Sequence, residues 1–305
     1  APSSGYAYSY QYPWEDIFTV VHWDQRGSGR SIPDGGVPVR TMTVEQMLVD
    51  AIEVVDHLRK RFDQEKIFVI GKSWGSQLGA LLAKRHPEML HAYISIGQTV
   101  SWRENFEESR RLLIELAEQR GDWNVVDSLL SAGDMPTPSD LDSYWHWIRT
   151  VQSPLYGYGK YWHAQNSPGA IPGRMIVTAL MSPDMTLSEI YGFIGGDAAD
   201  YVSHLFTDDA HYNFNLHDLG YEFDVPMIMV IGRHDWVTPV TVARAYFEKV
   251  QAPYKKYLEL DHSAHMAGLY EEPGQVFKML VTDALPLTQR ESHDVTPVLI
   301  ESNAD

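Results

Sequence analysis

The stretch "VIGKSWGSQLGALLAKRHPEML", residues 69–90, decides the fold. The continuous apolar run "KIFVIG" (66–71) predicts a strand buried on both faces, as in a parallel sheet covered by helices. A helical pattern starts directly afterwards, over 75–87, and Pro87 stops it. Between the two stands Ser73, with Gly71 and Gly75 on either side. Such a serine is either an ordinary turn residue or a side chain that a strained turn pushes out of the backbone as a nucleophile.

Working outward, strand and helix alternate. "DIFTVVHWDQR" (16–26) is β-rich and predicts an earlier strand. "TVEQMLVDAIEVVDHLRKRF" (43–62) predicts a helix, with Thr43 and Gln46 as a capping box and Met47, Ile52, Val55 and Leu58 on one face. "HAYISIG" (91–97), "VPMIMVIGRHD" (225–235) and "KKYLEL" (255–260) predict further strands. "PVTVARAYFEKVQ" and "PGQVFKMLVTDAL" predict the helices that follow the last two. The alternation implies a parallel sheet with helices on both faces. Between Gln98 and Leu219 no strong strand appears, so this part reads as a helical insertion. The expected organisation is a core domain of 1–97 and 220–290, a helical cap of 98–219, and a polar tail of 291–305.

Composition sets bounds. The chain has 305 residues and a formal net charge of −17, which argues against nucleic acid or anionic lipid as a partner. It contains no cysteine, so disulfides and thiolate chemistry are excluded, as are zinc sites that need sulfur. No apolar run is long enough to span a membrane. No signal-peptide pattern stands at Ala1, which leans towards the cytoplasm without fixing a compartment. The spacings of His204, Asp208, Asp209, His211 and His217 fit no recognised metal set, so no metal is expected.

Open parallel sheets bind ligands beyond the carboxyl ends of their strands. Three chemically able residues stand at such ends, in the order Ser73, Asp235, His265. "GKSWG" matches the G-x-S-x-G turn, and that chain order accompanies it in the α/β-hydrolase fold. Together with "VVHWDQRGSGRS", "GRHDWVTP" and "HSAHM", it makes the chain resemble α/β-hydrolase-fold serine hydrolases of the proline iminopeptidase-like group. The likeness spans nearly the whole chain and is loosest in the insertion.

The resemblance implies a Ser-His-Asp triad and no cofactor. Ser73 would attack, His265 would take and return the proton, and Asp235 would hold the imidazole tautomer. The amide of Trp74 would be one oxyanion donor. His262 competes with His265, which is preferred because "AHM" ends as the resembling loop does. Asp235 has a plainer reading as a helix cap. Gly71 and Gly75 are expected to make room for the tight turn, and Lys72 to point to solvent. Arg26 and Asp24 are expected to hold loops under the site.

The expected activity is cleavage of an N-terminal residue from a short peptide. An esterase or lactonase on the same triad is the alternative, as is a ligand-binding protein with poor turnover. In the cap, Glu104 and Glu107 are candidates for pairing a substrate amine, with a solvated helix face as the alternative. Seven aromatic residues fall in 144–163. Of these, Trp145, Trp147 and Trp162 are candidate substrate contacts, unless they form the cap's own core. The family's glycine-rich loop with the second oxyanion donor is not found. The first strands are therefore expected to be missing from this chain, or supplied by a separate N-terminal segment that completes the sheet, unless the protein lacks the second donor.

Overall fold

The computed structural model describes residues 4–32, 36–163, 177–178, 180–182, 186 and 197–289. The stretch "NSPGAIPG" (166–173) and the tail 291–305 lie outside the described residues.

Four parallel strands form the sheet: β1 (Ile67–Lys72), β2 (Leu90–Ile96), β3 (Met227–Gly232) and β4 (Lys255–Leu260), in the order β1-β2-β3-β4. Ladders pair Lys72 with Ile96, Ile96 with Val230, and Gly232 with Leu260, so the carboxyl ends lie side by side. β2 and β3 are buried almost throughout, in keeping with their unbroken apolar runs. β1 departs from the expected burial. It pairs on one side with β2, and Ile70 is 39% exposed.

Helix α2 (Val44–Phe62) begins where the capping box put it, with the Thr43 hydroxyl accepting from the Gln46 amide. Helix α3 (Trp74–Arg85) links β1 to β2 and packs against both strands. Beyond β2, the helices α4 (Trp102–Arg120), α5 (Trp123–Ser131) and α6 (Leu141–Gly157) pack together. A bridge between Ser101 and Asn215 brings the two ends of this helical region together, beside a bond from Leu216 N–H to the Val100 carbonyl. Phe106, Trp147 and Leu155 of these helices share one apolar cluster with Leu78, Tyr93 and Met229 of the sheet and its helices.

The expected strand over 16–26 is not formed. A helix, α1 (Ser4–Glu15), comes first, and residues 19–25 are irregular. The alternating side chains still find places: Phe18 meets Phe68 of β1 edge-on at 6.0 Å, and Trp23 packs against the main cluster. The segment buries side chains without a ladder to satisfy its backbone, and Ile17 and Val21 are left exposed. Arg26 holds this segment to α2 through two bonds of 2.7 Å to Asp50.

Candidate active site

The elbow is built from the end of β1. Ser73 has φ 50° and ψ −121°, a region that side chains rarely adopt, and it is one of three non-glycine residues with positive φ among those described. Its N–H continues the ladder to the Ile96 carbonyl at 3.0 Å, while its own carbonyl accepts from the Ser76 amide at 2.8 Å. Beneath it lies a buried polar network. Ser76 Oγ accepts from the Thr99 amide at 2.9 Å, and the Tyr93 hydroxyl donates to the Ser76 carbonyl at 2.7 Å. These bonds over-determine a conformation that costs about 1–3 kcal/mol by itself.

Gly71 is required here, because a Cβ would run into the Gly75 carbonyl. Gly75 itself is not: a Cβ there would meet nothing within 4 Å. The expectation that both glycines make room is corrected to one. A tight approach that went unnoticed lies at Gly232, where a Cβ would strike the carbonyls of Ser263 and Ala264.

The ladder extends past each strand and sets the other two loops. Gly97 N–H bonds the Val230 carbonyl and Arg233 N–H the Leu260 carbonyl, each at 2.9 Å. His265 Nε2 then lies 3.0 Å from Ser73 Oγ, and His265 Nδ1 lies 3.0 Å from Asp235 Oδ2. Asp235 is wholly buried. Its Oδ1 accepts from the amides of Val237 and Thr238, each at 2.9 Å, and its Oδ2 from the Thr238 hydroxyl at 2.7 Å. Asp235 does not cap a helix, because the next one starts at Val240 with Pro239 at its N-cap; the carboxylate ties the turn of Val237 and Thr238 and faces the imidazole as well. His262 is elsewhere; its amide bonds Glu272 and its ring faces His163 at 6.2 Å.

Trp74 is the first residue of α3, so its N–H is among the amides without a partner inside the helix. Its indole donates to Gln25 at 3.0 Å and packs against His211 at 5.1 Å. His211 is 1% exposed and also faces Trp102 and Phe206; burial pushes its imidazole down to about 3. Trp145 joins this group through Phe206 at 6.2 Å. Trp147 is buried in the helical region, edge-on to Phe106, with its ring N–H on the Gly133 carbonyl. Trp162 lies on the other side, near Tyr161 and Tyr270. Glu104 and Glu107 are exposed on α4, and Glu104 faces His217 at 3.2 Å. The structure does not bring these two carboxylates to Ser73.

Residues 160–163, which follow α6, are stitched to the loops that carry Asp235 and His265. Trp236 N–H bonds the Lys160 carbonyl, His265 N–H bonds the Tyr161 carbonyl at 3.0 Å, and His163 N–H bonds Glu271 Oε1. Glu271, missed in the sequence, is 1% exposed and also accepts from the Ala264 amide at 2.7 Å. Burial raises its carboxyl above the ordinary range, against the pull of those amides and of Lys72. Lys72 does not point to solvent. Part of its length is accessible, but its ammonium end is enclosed and donates to the His265 carbonyl. That burial lowers it to about 8, opposed by Asp235 and Glu271. The only early warning of this pair is its placement, a lysine inside the elbow and an "EEP" run just past the histidine loop.

The chain is similar to several known proteins. Residues 5–149 match the family described as serine aminopeptidase, S33. A probable aminopeptidase, YbaC of Bacillus subtilis, is 26% identical over 278 residues, covering 89% of this chain and 81% of that protein. Among solved structures, the proline iminopeptidase of Mycobacterium smegmatis has a TM-score of 0.58 at 20% identity, over 94% of this chain and 86% of the other. An esterase from Exiguobacterium antarcticum has a TM-score of 0.56 at 17% identity, over 93% and 88%. The chain is a hydrolase of the α/β-hydrolase fold. Within that fold its sequence is similar to aminopeptidase and proline iminopeptidase proteins.

Proposed function

We propose that the chain is a serine hydrolase working through an acyl-enzyme, with Ser73 as nucleophile, His265 as base and Asp235 as its orienting carboxylate. The observation that carries this reading is the relay of two 3.0 Å contacts, from Ser73 Oγ to His265 Nε2 and from His265 Nδ1 to Asp235. As Oγ bonds to the substrate carbonyl carbon, its proton passes to Nε2. The carbonyl π-electrons move onto oxygen, and the Trp74 amide stabilises that oxyanion. Collapse of the intermediate expels the leaving group, which takes the proton from Nε2. Water then repeats the cycle on the acyl-enzyme.

The substrate of this reading is the N-terminal residue of a short peptide, supported by the family match and the aminopeptidase relative. Trp145 and Trp162 are the aromatic contacts it retains. Glu104 and Glu107 drop out as amine partners on their placement. A second reading, an esterase or lactonase on the same residues, is supported by the solved esterase that shares the fold. The outer edge of β1 makes no ladder among the described residues, and the proposal includes a separate segment pairing there.

The test compares aminoacyl anilides, their N-acetylated forms and aryl esters, in wild type and Ser73→Ala. Ser73→Ala should lower turnover about a thousandfold or more, since members of such a triad act as a unit. Retention of a tenth of the wild-type rate would overturn the nucleophile assignment. Equal rates on free and acetylated anilides would eliminate the aminopeptidase reading and leave the esterase one.

A further inference from the structure

Lys72 occupies the position immediately before Ser73, and its ammonium group reaches across to the main-chain carbonyl of His265. On the other side of the same loop, Glu271 accepts from the Ala264 amide at 2.7 Å and from the His163 amide. The histidine loop is therefore gripped at two consecutive residues, by an anion on the Ala264 N–H and by a cation on the His265 C=O. The charged groups that face Lys72 are Asp235, from the loop after β3, and Glu271, from the segment leading into the helix Pro273–Met279. The imidazole of His265 stands on the loop that it grips. Enclosing a charge of this kind costs several kcal/mol unless it is paired and hydrogen-bonded, and a turn residue has no need of one.

We propose that Lys72, in its charged form, is a positioning residue that ties the histidine loop to the nucleophile strand and so holds His265 Nε2 on Ser73 Oγ. This rests on the serine-hydrolase reading above. The charged form matters because a charge-assisted hydrogen bond is about twice as strong as a neutral one. Burial brings the lysine to about 8, so the strap weakens within an accessible pH range. Stability moves the other way. An unfolded chain keeps this proton up to about 10.5, the native chain only to about 8, so the native state gains stability as pH rises through that window. An alkaline loss of rate is thereby distinguished from unfolding.

The experiment measures the rate at which a fluorophosphonate labels Ser73 between about pH 6 and about pH 10, a span that brackets the lysine. That probe carries no amine that titrates in this range. Wild type, Lys72→Met and Lys72→Arg are compared, with a melting curve for each. The wild-type rate should fall towards about one-tenth by pH 9, where about a tenth of the lysine stays charged. Lys72→Met should be about tenfold slower at neutral pH and lack that alkaline limb, because a thioether cannot take the strap's role. Lys72→Arg should keep a larger share of the neutral rate and also lack the limb, since a guanidinium does not titrate there. A wild-type profile flat through pH 9 overturns the proposal, and decides the matter even if neither variant folds. So does a limb that persists in either variant. Failure of wild type to label at any pH sinks the serine-hydrolase reading itself, whereas labelling with a flat profile sinks only the role of Lys72.

Discussion

Asp235→Asn isolates the orienting role from the packing role of that side chain. The carboxylate has four partners: two amides on Oδ1, and the Thr238 hydroxyl and His265 Nδ1 on Oδ2. An asparagine can keep its oxygen on the amides of Val237 and Thr238. Its NH2 then takes the place of Oδ2, and the Thr238 hydroxyl can rotate to accept from it. His265 Nδ1 has no such freedom, because an N–H cannot donate to an N–H. The imidazole must adopt the other tautomer, with its proton on Nε2 facing Ser73, and the base is lost. Tautomer inversion of this kind costs about four orders of magnitude in kcat, or about 5 kcal/mol of barrier. The fold should lose only about 1–2 kcal/mol, the difference between charged and neutral acceptors. Burst kinetics on an activated ester and urea unfolding measure the two quantities separately. A loss below tenfold, with stability intact, would refute the argument that Asp235 sets the tautomer.

Other outcomes follow from the same geometry. Ser73→Gly should abolish turnover yet unfold at higher urea than Ser73→Ala, by about 1 kcal/mol, because glycine accepts a φ of 50° without strain; equal stabilities would show the elbow to be relaxed. Gly71→Ala should destabilise by about 1–3 kcal/mol through collision with the Gly75 carbonyl, whereas Gly75→Ala should be tolerated sterically; comparable melting temperatures for the two would contradict this. His211 holds a proton in the unfolded chain below about 6.5 but in the native one only below about 3, so acidification across that window destabilises the fold. By pH 3 this amounts to roughly 5 kcal/mol at most, and His211→Phe should flatten the acid side of the stability curve. An unchanged slope would place the acid sensitivity elsewhere.

The β1–elbow–α3 unit was legible because its signals are local: an apolar run, a glycine whose Cβ has no room, and a helix pattern that starts at once. Asp235 and His265 could be found because each follows a strand directly. The run 16–26 misled for a physical reason. Alternation predicts which side chains turn inward, not whether a neighbouring backbone offers a ladder, and Phe18 and Trp23 are partly buried without one. Lys72 and Glu271 escaped because their meaning lies in the peptide groups of distant residues, His265, Ala264 and His163. Composition does not reveal which carbonyl a lysine will meet. The aromatic count in 144–163 could not separate Trp147, whose ring N–H is spent on Gly133, from Trp145, which adjoins the group around Trp74.

The stitching of residues 160–163 has a mechanical meaning. Lys160, Tyr161 and His163 take bonds from or give bonds to the loops of Asp235 and His265 and to Glu271. A lid hinged at this point could not swing without dragging the imidazole away from the serine. Any hinge of the helical region must therefore lie elsewhere, leaving these residues as a fixed fulcrum. A push on the fulcrum would be felt at His265 through the Tyr161 carbonyl, and at Trp236 through that of Lys160.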